Sequence, residues 1–218
     1  MPATTPKQPR TPLTRERVVQ AALTLADERG LAALSMRTLG QRLGVEAMSL
    51  YNHVANKDDA IDAMFEVVIG EIEPAATTGP WLPALRACAV SARAALVRHP
   101  WACSQWMQRM PGPNRLRYME GLLSCLARSG LPEATAHHAY HVIDTYIVGF
   151  TAQQATFTIE AADLDAVAAD FLRGLPVEEF PHVATHVHQH LADDDSTSAF
   201  EFGLDLILHG LQRAPHAR

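Results

Sequence analysis

The segment 36–52 carries the pattern of two short helices joined by one glycine, and this pattern most limits what the chain can form. Apolar residues repeat at helical spacing in 36–43 and again in the second helix, which we expect over 46–52. Gly44 lies between them, where a positive φ angle costs glycine little. Gly40 has no side chain, so the second helix can approach the first closely. The segment therefore predicts a helix-turn-helix unit, in which the second helix enters the major groove of DNA.

The residues around this unit resemble the TetR (tetracycline-repressor) family of transcriptional regulators. The resemblance rests on V-E-x-x-S-L-Y-x-H-V-x-N-K at 45–57, E-R-G-L at 28–31 and M-R-x-L at 36–39. Further along, H-P-W at 99–101, G-P-N at 112–114 and F-x-F-G-L-D-L-I-L-H-G-L at 200–211 are similar to the tetracycline-repressor-like C-terminal domain. One departure is Ala60, where the family usually carries leucine.

This resemblance implies an all-α fold, in which an N-terminal three-helix helix-turn-helix DNA-binding domain is joined to a helical ligand-binding and dimerisation domain. We expect a disordered N-terminal arm at 1–12, the DNA-binding domain at 13–57, a connecting helix at 58–78 and the ligand-binding and dimerisation domain at 79–218. Within the last domain, periodicity predicts helices at 81–98, 101–109, 114–129, 132–156, 160–173, 181–192 and 197–213. No period-two strand pattern competes with them.

The charge of the chain is divided unevenly along its length. Residues 1–57 hold eight basic and four acidic side chains, a net charge of +4, whereas residues 58–218 hold 10 basic and 20 acidic ones. The whole chain is therefore acidic, at −6, although its N-terminal quarter is basic. A basic N-terminal segment on an acidic body is typical of a DNA-binding domain joined to a domain with another task.

Other features of the composition exclude several classes of protein. The N-terminus lacks the apolar core of a secretory signal, and no run of about 18 apolar residues could cross a membrane. We therefore expect a cytoplasmic protein with no membrane partner. Cys88, Cys103 and Cys125 are odd in number and lack C-x-x-C spacing, which argues against a disulfide framework or a thiolate zinc site. Buried free thiols are the simplest interpretation, and the sequence suggests no cofactor.

The candidate DNA contacts lie in and around the second helix of the helix-turn-helix unit. They are Arg37, Ala47, Met48, Ser49, Tyr51, Asn52, His53 and Lys57. The resemblance implies that Tyr51 and His53 hold phosphates, with Ser49 reaching phosphate or base. An asparagine such as Asn52 can bind adenine through two hydrogen bonds, and Ala47 or Met48 can contact a thymine methyl group. Arg37 is a candidate for a guanine or a phosphate contact, and Lys57 is a candidate for a phosphate contact.

The C-terminal domain is expected to hold a small-molecule pocket and the contact between two copies of the chain. Six apolar or aromatic residues are placed near the pocket: Trp106, Met107, Met110, Met119, Leu122 and Tyr140. Core packing explains each of them at least as well. The resemblance also implies a four-helix dimer bundle, because the helices at 132–156 and 197–213 are apolar on more than one side. Its expected contacts are Ile143, Ile147, Phe200, Leu204, Ile207 and Leu211.

Histidine spacing raises the alternative of a metal-binding sensor or a metal-dependent enzyme. His182, His186 and His190 lie four residues apart on one helix face, and two histidines one turn apart can clamp a divalent metal. Polar neighbours suggest instead that these side chains face solvent, so no metal site is expected. The chain contains no H-E-x-x-H, no glycine-rich phosphate loop and no G-x-S-x-G, and we expect no enzyme activity.

The sequence as a whole favours a ligand-responsive transcriptional regulator of the repressor type. We expect a homodimer that binds double-stranded DNA at an inverted-repeat operator and is released by a small apolar or aromatic inducer. A constitutive DNA-binding protein without an inducer is the main alternative. That alternative explains the N-terminal domain but leaves the large acidic body without a function.

Overall fold

A computed structural model describes residues 12–156, 161–192 and 196–215 of the chain, and every regular element within these ranges is helical. The helices are α1 (Arg15–Arg29), α2 (Met36–Leu43), α3 (Ala47–Leu50), α4 (Lys57–Gly70), α5 (Trp81–Arg98), α6 (Trp101–Gln105), α7 (Pro113–Ala127), α8 (Glu133–Thr156), α9 (Ala161–Gly174), α10 (Pro181–Ala192) and α11 (Ser196–Arg213). A single 3-10 turn, Leu31–Ala33, separates α1 from α2. The predicted all-α fold is confirmed. The predicted disordered arm lies almost wholly outside the described residues.

Side-chain caps start the first, second and fourth helices. The Thr14 hydroxyl accepts a hydrogen bond from the backbone N–H of Arg17 (3.3 Å). Ser35 forms a reciprocal capping box at the start of α2, and the Asn56 side chain accepts from the backbone N–H of Asp59 at 2.8 Å. Each cap satisfies a backbone donor that the first helical turn leaves without an intrahelical partner. Between α2 and α3, Gly44 has a φ of 66°, the left-handed conformation expected of it.

Four predicted helices end earlier than the sequence suggests. The helix expected over 46–52 is helical only at Ala47–Leu50, and the chain then turns so that Val54 is buried before α4 begins. The connecting helix expected over 58–78 ends at Gly70, and the helix expected over 114–129 ends at Ala127. The helix expected over 101–109 ends at Gln105. Pro111 disfavours helix at Met110, the residue before it, but lies too far along the chain to account for an end at Gln105. The segment 106–112 therefore runs from α6 to α7 without regular helix.

The connecting helix α4 is shared by the two halves of the molecule. Its apolar stripe, predicted from the sequence, is buried and includes Ala60, Ile61, Met64, Phe65, Val68 and Ile69. α4 packs against α1 on the N-terminal side and against α5, α6 and α7 on the other. We call helices α5–α11 the body. Because α4 belongs to both cores, a displacement of the body is transmitted to the N-terminal domain through it.

The expected dimer contacts require a correction. Ile143, Ile147, Phe200 and Leu204 are at most 1% exposed within their own chain, so they belong to its core and not to a surface open to a partner. Ile207 and Leu211 are half-buried. The open side of these helices carries other apolar side chains: Val142 (51% exposed) on α8, and Phe202 (67%) and Leu206 (59%) on α11. The periodicity identified helices with two apolar faces but not which face turns inward.

The close approach of α2 and α3 depends on the absence of a side chain at Gly40. A Cβ atom there would lie 2.8 Å from the Val45 carbonyl oxygen, which is shorter than a van der Waals contact allows. We expect Gly40→Ala to lower the free energy of unfolding by about 1–3 kcal/mol, as measured by denaturant titration.

Gly149→Ala is the matched control, because Gly149 is also helical and a Cβ there would meet nothing within 4 Å. This substitution should raise the free energy of unfolding by about 0.5–1 kcal/mol through helix propensity. Equal stabilisation by both substitutions would show that α2 and α3 are not held at the described separation.

Candidate nucleic-acid interface

The α3 region has one side anchored in the core and one side open to solvent. Leu50 is fully buried and Val54 is 1% exposed, so these two side chains anchor the segment in the core. On the open side, Met48 is 74% and Tyr51 46% exposed. A large apolar side chain held out in this way can contact a thymine methyl group in a major groove.

The remaining predicted DNA contacts lie around these two side chains and are all accessible to some degree. Asn52 and Arg37 are exposed, and Ala47, Ser49, His53 and Lys57 are half-buried. None of the eight predicted residues lies in the core. We call these eight residues together the recognition surface.

The acidic residues at the start of α4 are paired, which removes a barrier to phosphate binding. The Arg15 guanidinium donates to both oxygens of Asp59 (2.6 and 3.0 Å) and also to the His53 carbonyl oxygen (2.7 Å). The hydrogen bonds from Arg15, together with one from the backbone N–H of Ala55 (2.7 Å), lower the pKa of Asp59 from its usual 3.8 to about 2. Asp59 is therefore charged at neutral pH, and its link to Arg15 is lost only as the pH falls toward 2. Asp58 is paired with Arg109 at 3.0 Å.

Two cations of the recognition surface remain for DNA. Arg37 and Lys57 form no ion pair with the described part of the chain. Lys57 is the first residue of α4, whose first-turn backbone N–H groups favour a phosphate oxygen. Arg42, by contrast, is bound to both oxygens of Glu28 (2.6 and 2.7 Å), so its charge ties α2 to α1.

A polar junction ties α1 to the body where α5 meets α6. The His99 imidazole contacts a carboxylate oxygen of Asp27 at 2.8 Å and one of Glu71 at 3.2 Å. The Trp101 indole N–H donates to the same Asp27 oxygen (2.8 Å). The sequence showed the H-P-W motif, but its contact with α1 was not predicted, because a separation of about 70 residues leaves no periodic signal.

A second set of polar contacts ties α4 to the start of α7. Asp58, Asp62 and Glu66 follow each other at four-residue spacing along α4. Arg109 donates to carboxylate oxygens of Asp58 (3.0 Å) and Asp62 (2.9 Å). Glu66 accepts from the backbone N–H of Asn114 (2.7 Å), in the first turn of α7. We call these contacts the α4 clamp. The carboxylate spacing was the sequence signal that could have revealed it.

The body contains a buried polar centre next to the α4 clamp. The Trp106 indole N–H donates to Asp144 at 2.9 Å, and the Arg115 guanidinium lies 3.6 Å from the centre of the Trp106 ring. Arg115 also donates to Asp144 at 3.2 Å. The rings of Phe65 and Tyr118 pack edge-on to Trp106, with centroids 5.8 and 5.6 Å away. A charged pair is therefore held among aromatic rings inside the body.

The six residues predicted to line a ligand pocket do not share one environment. Trp106, Leu122 and Tyr140 are buried in the body core, and Met119 is half-buried. Met107 and Met110 are 85% and 91% exposed, so their side chains do not line the interior described here. They lie in the segment 106–112, which is not regular helix although the sequence predicted helix as far as residue 109. The pocket itself stays a prediction.

The cysteine and histidine patterns give no metal cluster within the described residues. All three cysteines are buried, and burial raises the pKa of Cys88 to about 12 and that of Cys103 to about 11, so both stay protonated thiols. His182 and His186 are exposed on α10. The His190 side chain lies outside what the structure describes.

No helix among the described residues is long and apolar enough to cross a lipid bilayer.

Comparisons with known families agree with this division of the molecule. Residues 18–64 match the family described as bacterial regulatory proteins, tetR family. Residues 73–214 match the tetracyclin repressor-like C-terminal domain. Residues 65–72, between the two matches, form the end of α4 and the turn that follows it.

Three relatives illustrate the likeness. An HTH-type transcriptional regulator of Saccharopolyspora erythraea is 36% identical over 155 residues, which span 69% of this chain and 66% of that protein. The HTH-type transcriptional repressor DrrR1 of Streptomyces coeruleorubidus is 35% identical over 94% of this chain and 79% of its own length. The structure of Streptomyces coelicolor ActR in complex with actinorhodin is 31% identical, with a TM-score of 0.76 over 92% of this chain and 97% of that one.

Asn52→Ala separates base reading from general attraction to DNA. The exposed amide should contribute a base-specific contact, so its loss should weaken binding to the preferred duplex by about 1–3 kcal/mol and relax the choice at one base position. Competition between single-base variants of the duplex measures both effects. An unchanged base preference would show that Asn52 does not contact a base.

Lys57→Gln is the complementary change, because it removes a phosphate contact. Binding should weaken by a similar factor for every sequence, and the salt dependence should fall by about one unit of slope. Titrations at two or more salt concentrations test this. A slope equal to that of the unchanged protein would show that Lys57 does not contact phosphate.

Proposed function

The chain belongs to the TetR family of transcriptional regulators, and from that premise we propose that it is a repressor released from its operator by a small molecule. The main support for this proposal is the recognition surface. Its exposed side chains are held by the buried Leu50 and Val54, and α4 joins this part of the chain to the body. The relative DrrR1 is a repressor, and the relative ActR binds actinorhodin in its solved complex. Both facts concern those proteins and make the same arrangement reasonable here.

The proposed division of labour follows the expected domain limits. Residues 13–57 read DNA, 58–78 transmit, and 79–218 bind the effector and a second copy of the chain. The N-terminal arm at 1–12 stays outside this proposal. The alternative of a constitutive DNA-binding protein predicts that no small molecule changes operator affinity.

The mechanism is a shift between two arrangements of the body. In one, the two recognition surfaces of a dimer match successive major grooves of the operator. The effector favours the other, in which the start of α7 is displaced. The α4 clamp carries this displacement to α4 through Arg109 and Glu66, while the contact of Asp27 with His99 and Trp101 gives the N-terminal domain a point to turn about.

Two copies should associate through the open side of α8 and α11. Val142, Phe202 and Leu206 are large apolar side chains that the chain leaves exposed there. A two-fold axis brings the same residues of both copies together, so the apolar patch of one copy is covered by the same patch of the other. The operator should accordingly be an inverted repeat with half-site centres roughly 34–36 Å apart.

Selection of bound duplexes from a random pool tests the operator. The proposal predicts enrichment of one inverted repeat by a dimeric protein, with an affinity that falls as salt rises. If the folded dimer recovered only unrelated sequences, the proposal of an operator-specific function would be wrong. Enrichment of a repeat whose binding no small molecule alters would favour the constitutive alternative.

Leu206→Glu tests the proposed dimer surface. Two carboxylates would face each other near the axis, so analytical ultracentrifugation should find mostly monomer, and operator affinity should fall with it. Leu204→Ala is the control on the inward side of the same helix. It should lower stability by about 2–5 kcal/mol and leave the folded protein dimeric. A Leu206→Glu protein that remains a dimer would place the interface elsewhere.

A further inference from the structure

Three buried polar atoms of the polar centre have no hydrogen-bond partner among the described residues. They are Nη1 of Arg115, the hydroxyl of Tyr118 and Oδ1 of Asp144. Their residues are 6%, 3% and 7% exposed. Buried polar groups in folded proteins nearly always have partners, because an unmade hydrogen bond inside a protein is costly. Three such groups from α7 and α8 call for a functional explanation.

These atoms belong to one cluster. Nη2 of Arg115 lies 3.2 Å from Oδ2 of Asp144, and the guanidinium is 5.4 Å from the centre of the Tyr118 ring. The pKa of Tyr118 is raised, first by burial and then by the negative charge of Asp144. Tyr118 is therefore a neutral hydroxyl that can donate a hydrogen bond.

The contacts within the chain leave three hydrogen-bonding atoms of the polar centre without a partner among the described residues. One nitrogen of Arg115 and one oxygen of Asp144 bind each other, and the same Asp144 oxygen accepts from Trp106 (2.9 Å). Nη1 of Arg115 and the Tyr118 hydroxyl remain as donors, and Oδ1 of Asp144 remains as an acceptor. A matching ligand presents an acceptor to the two donors and a donor to the carboxylate.

The charge of the centre selects among such ligands. Arg115 and Asp144 neutralise each other, so the centre has no net charge to compensate the desolvation of a buried anionic or cationic group. A neutral carbonyl beside a hydroxyl meets the requirement. The rings of Phe65, Trp106 and Tyr118 favour a flat skeleton carrying these groups.

We propose that Arg115, Tyr118 and Asp144 form the recognition point of the effector, and that the effector is a neutral planar compound with a hydroxyl group beside a carbonyl group. This inference rests on the proposed function, since it names the ligand class of the repressor. The carbonyl accepts from Arg115 and Tyr118. The hydroxyl proton, which in the free compound bonds to the neighbouring carbonyl, is donated to Asp144 on binding.

The position of Arg115 explains how such a ligand would act on DNA binding. Its backbone N–H lies 3.4 Å from Oε1 of Glu66, next to the stronger bond from Asn114 to the same carboxylate. A ligand that draws the Arg115 side chain toward itself therefore pulls on the residue pair that holds α7 to α4. Recognition and transmission share one residue.

The test uses three probes that differ at one position: a peri-hydroxyanthraquinone, its methyl ether and unsubstituted anthraquinone. Quenching of tryptophan fluorescence measures binding to the free dimer, and fluorescence anisotropy of a labelled operator measures release. The hydroxy compound should bind and release DNA. The ether and the unsubstituted ring lack the donor for Asp144, so their binding should be at least about tenfold weaker.

Tyr118→Phe removes one recognition group without disturbing a bond within the described chain. Its melting temperature and operator affinity should match those of the unchanged protein, while the concentration of hydroxy probe for half-release should rise about tenfold. Asp144→Asn should have the same effect on the probe, with lower stability because Arg115 loses its counter-ion.

Tyr146→Phe is the matched control on α8. Its hydroxyl donates to the Phe200 carbonyl oxygen (2.9 Å), so its removal should lower stability and leave the response to the probe unchanged.

Several results would overturn the inference while leaving the proposed function standing. These are equal binding of the hydroxy compound and its ether, an unchanged response in Tyr118→Phe, or binding by none of the three probes to a protein that holds its operator. Failure of the proposed function gives a different result, in which the protein enriches no operator at all. Probe binding to the free dimer is measured independently and still decides whether the centre recognises this ligand class.

Discussion

The α4 clamp is the interaction on which the rest of this structure depends. Three carboxylates on successive turns of α4 hold Arg109 and the first turn of α7, and every contact joins the helix that carries the N-terminal domain to the body. An exposed ion pair on its own stabilises a protein by only about 0–1 kcal/mol. The α4 clamp matters because of where it lies. It fixes the angle of α4 relative to the body, and so the position of the recognition surface.

The polar centre and the recognition surface are two ends of one connected set of contacts. Asp144 on α8 binds Trp106 and Arg115, and Arg115 adjoins the Glu66 bond to α7. α4 begins at Lys57, beside the other predicted DNA contacts. A few directional bonds allow two discrete arrangements, which is what a ligand needs in order to shift a population.

Much of this architecture could be predicted from the sequence, because it is local. The caps at Thr14, Ser35 and Asn56 and the turn at Gly44 each depend on residues within a few positions of one another. The faces of α8 and α11 could not be assigned, since both sides are apolar and only packing decides between them. The polar centre was also beyond reach. Arg115 and Asp144 are ordinary surface residue types, and nothing in a separation of 29 residues indicates that both are buried.

Distances between the two recognition surfaces of a dimer test the role of the α4 clamp most directly. Met48→Cys offers an exposed thiol for a spin label, whereas the native cysteines are buried. Pulsed electron resonance should give one narrow distance between labels in the otherwise unchanged dimer. Replacement of both Glu66 and Arg109 by alanine should broaden this distance. In unlabelled protein that keeps Met48, the same replacement should weaken operator binding, with the dimer intact. The same narrow distance and affinity in that variant would show that the clamp does not position the N-terminal domain.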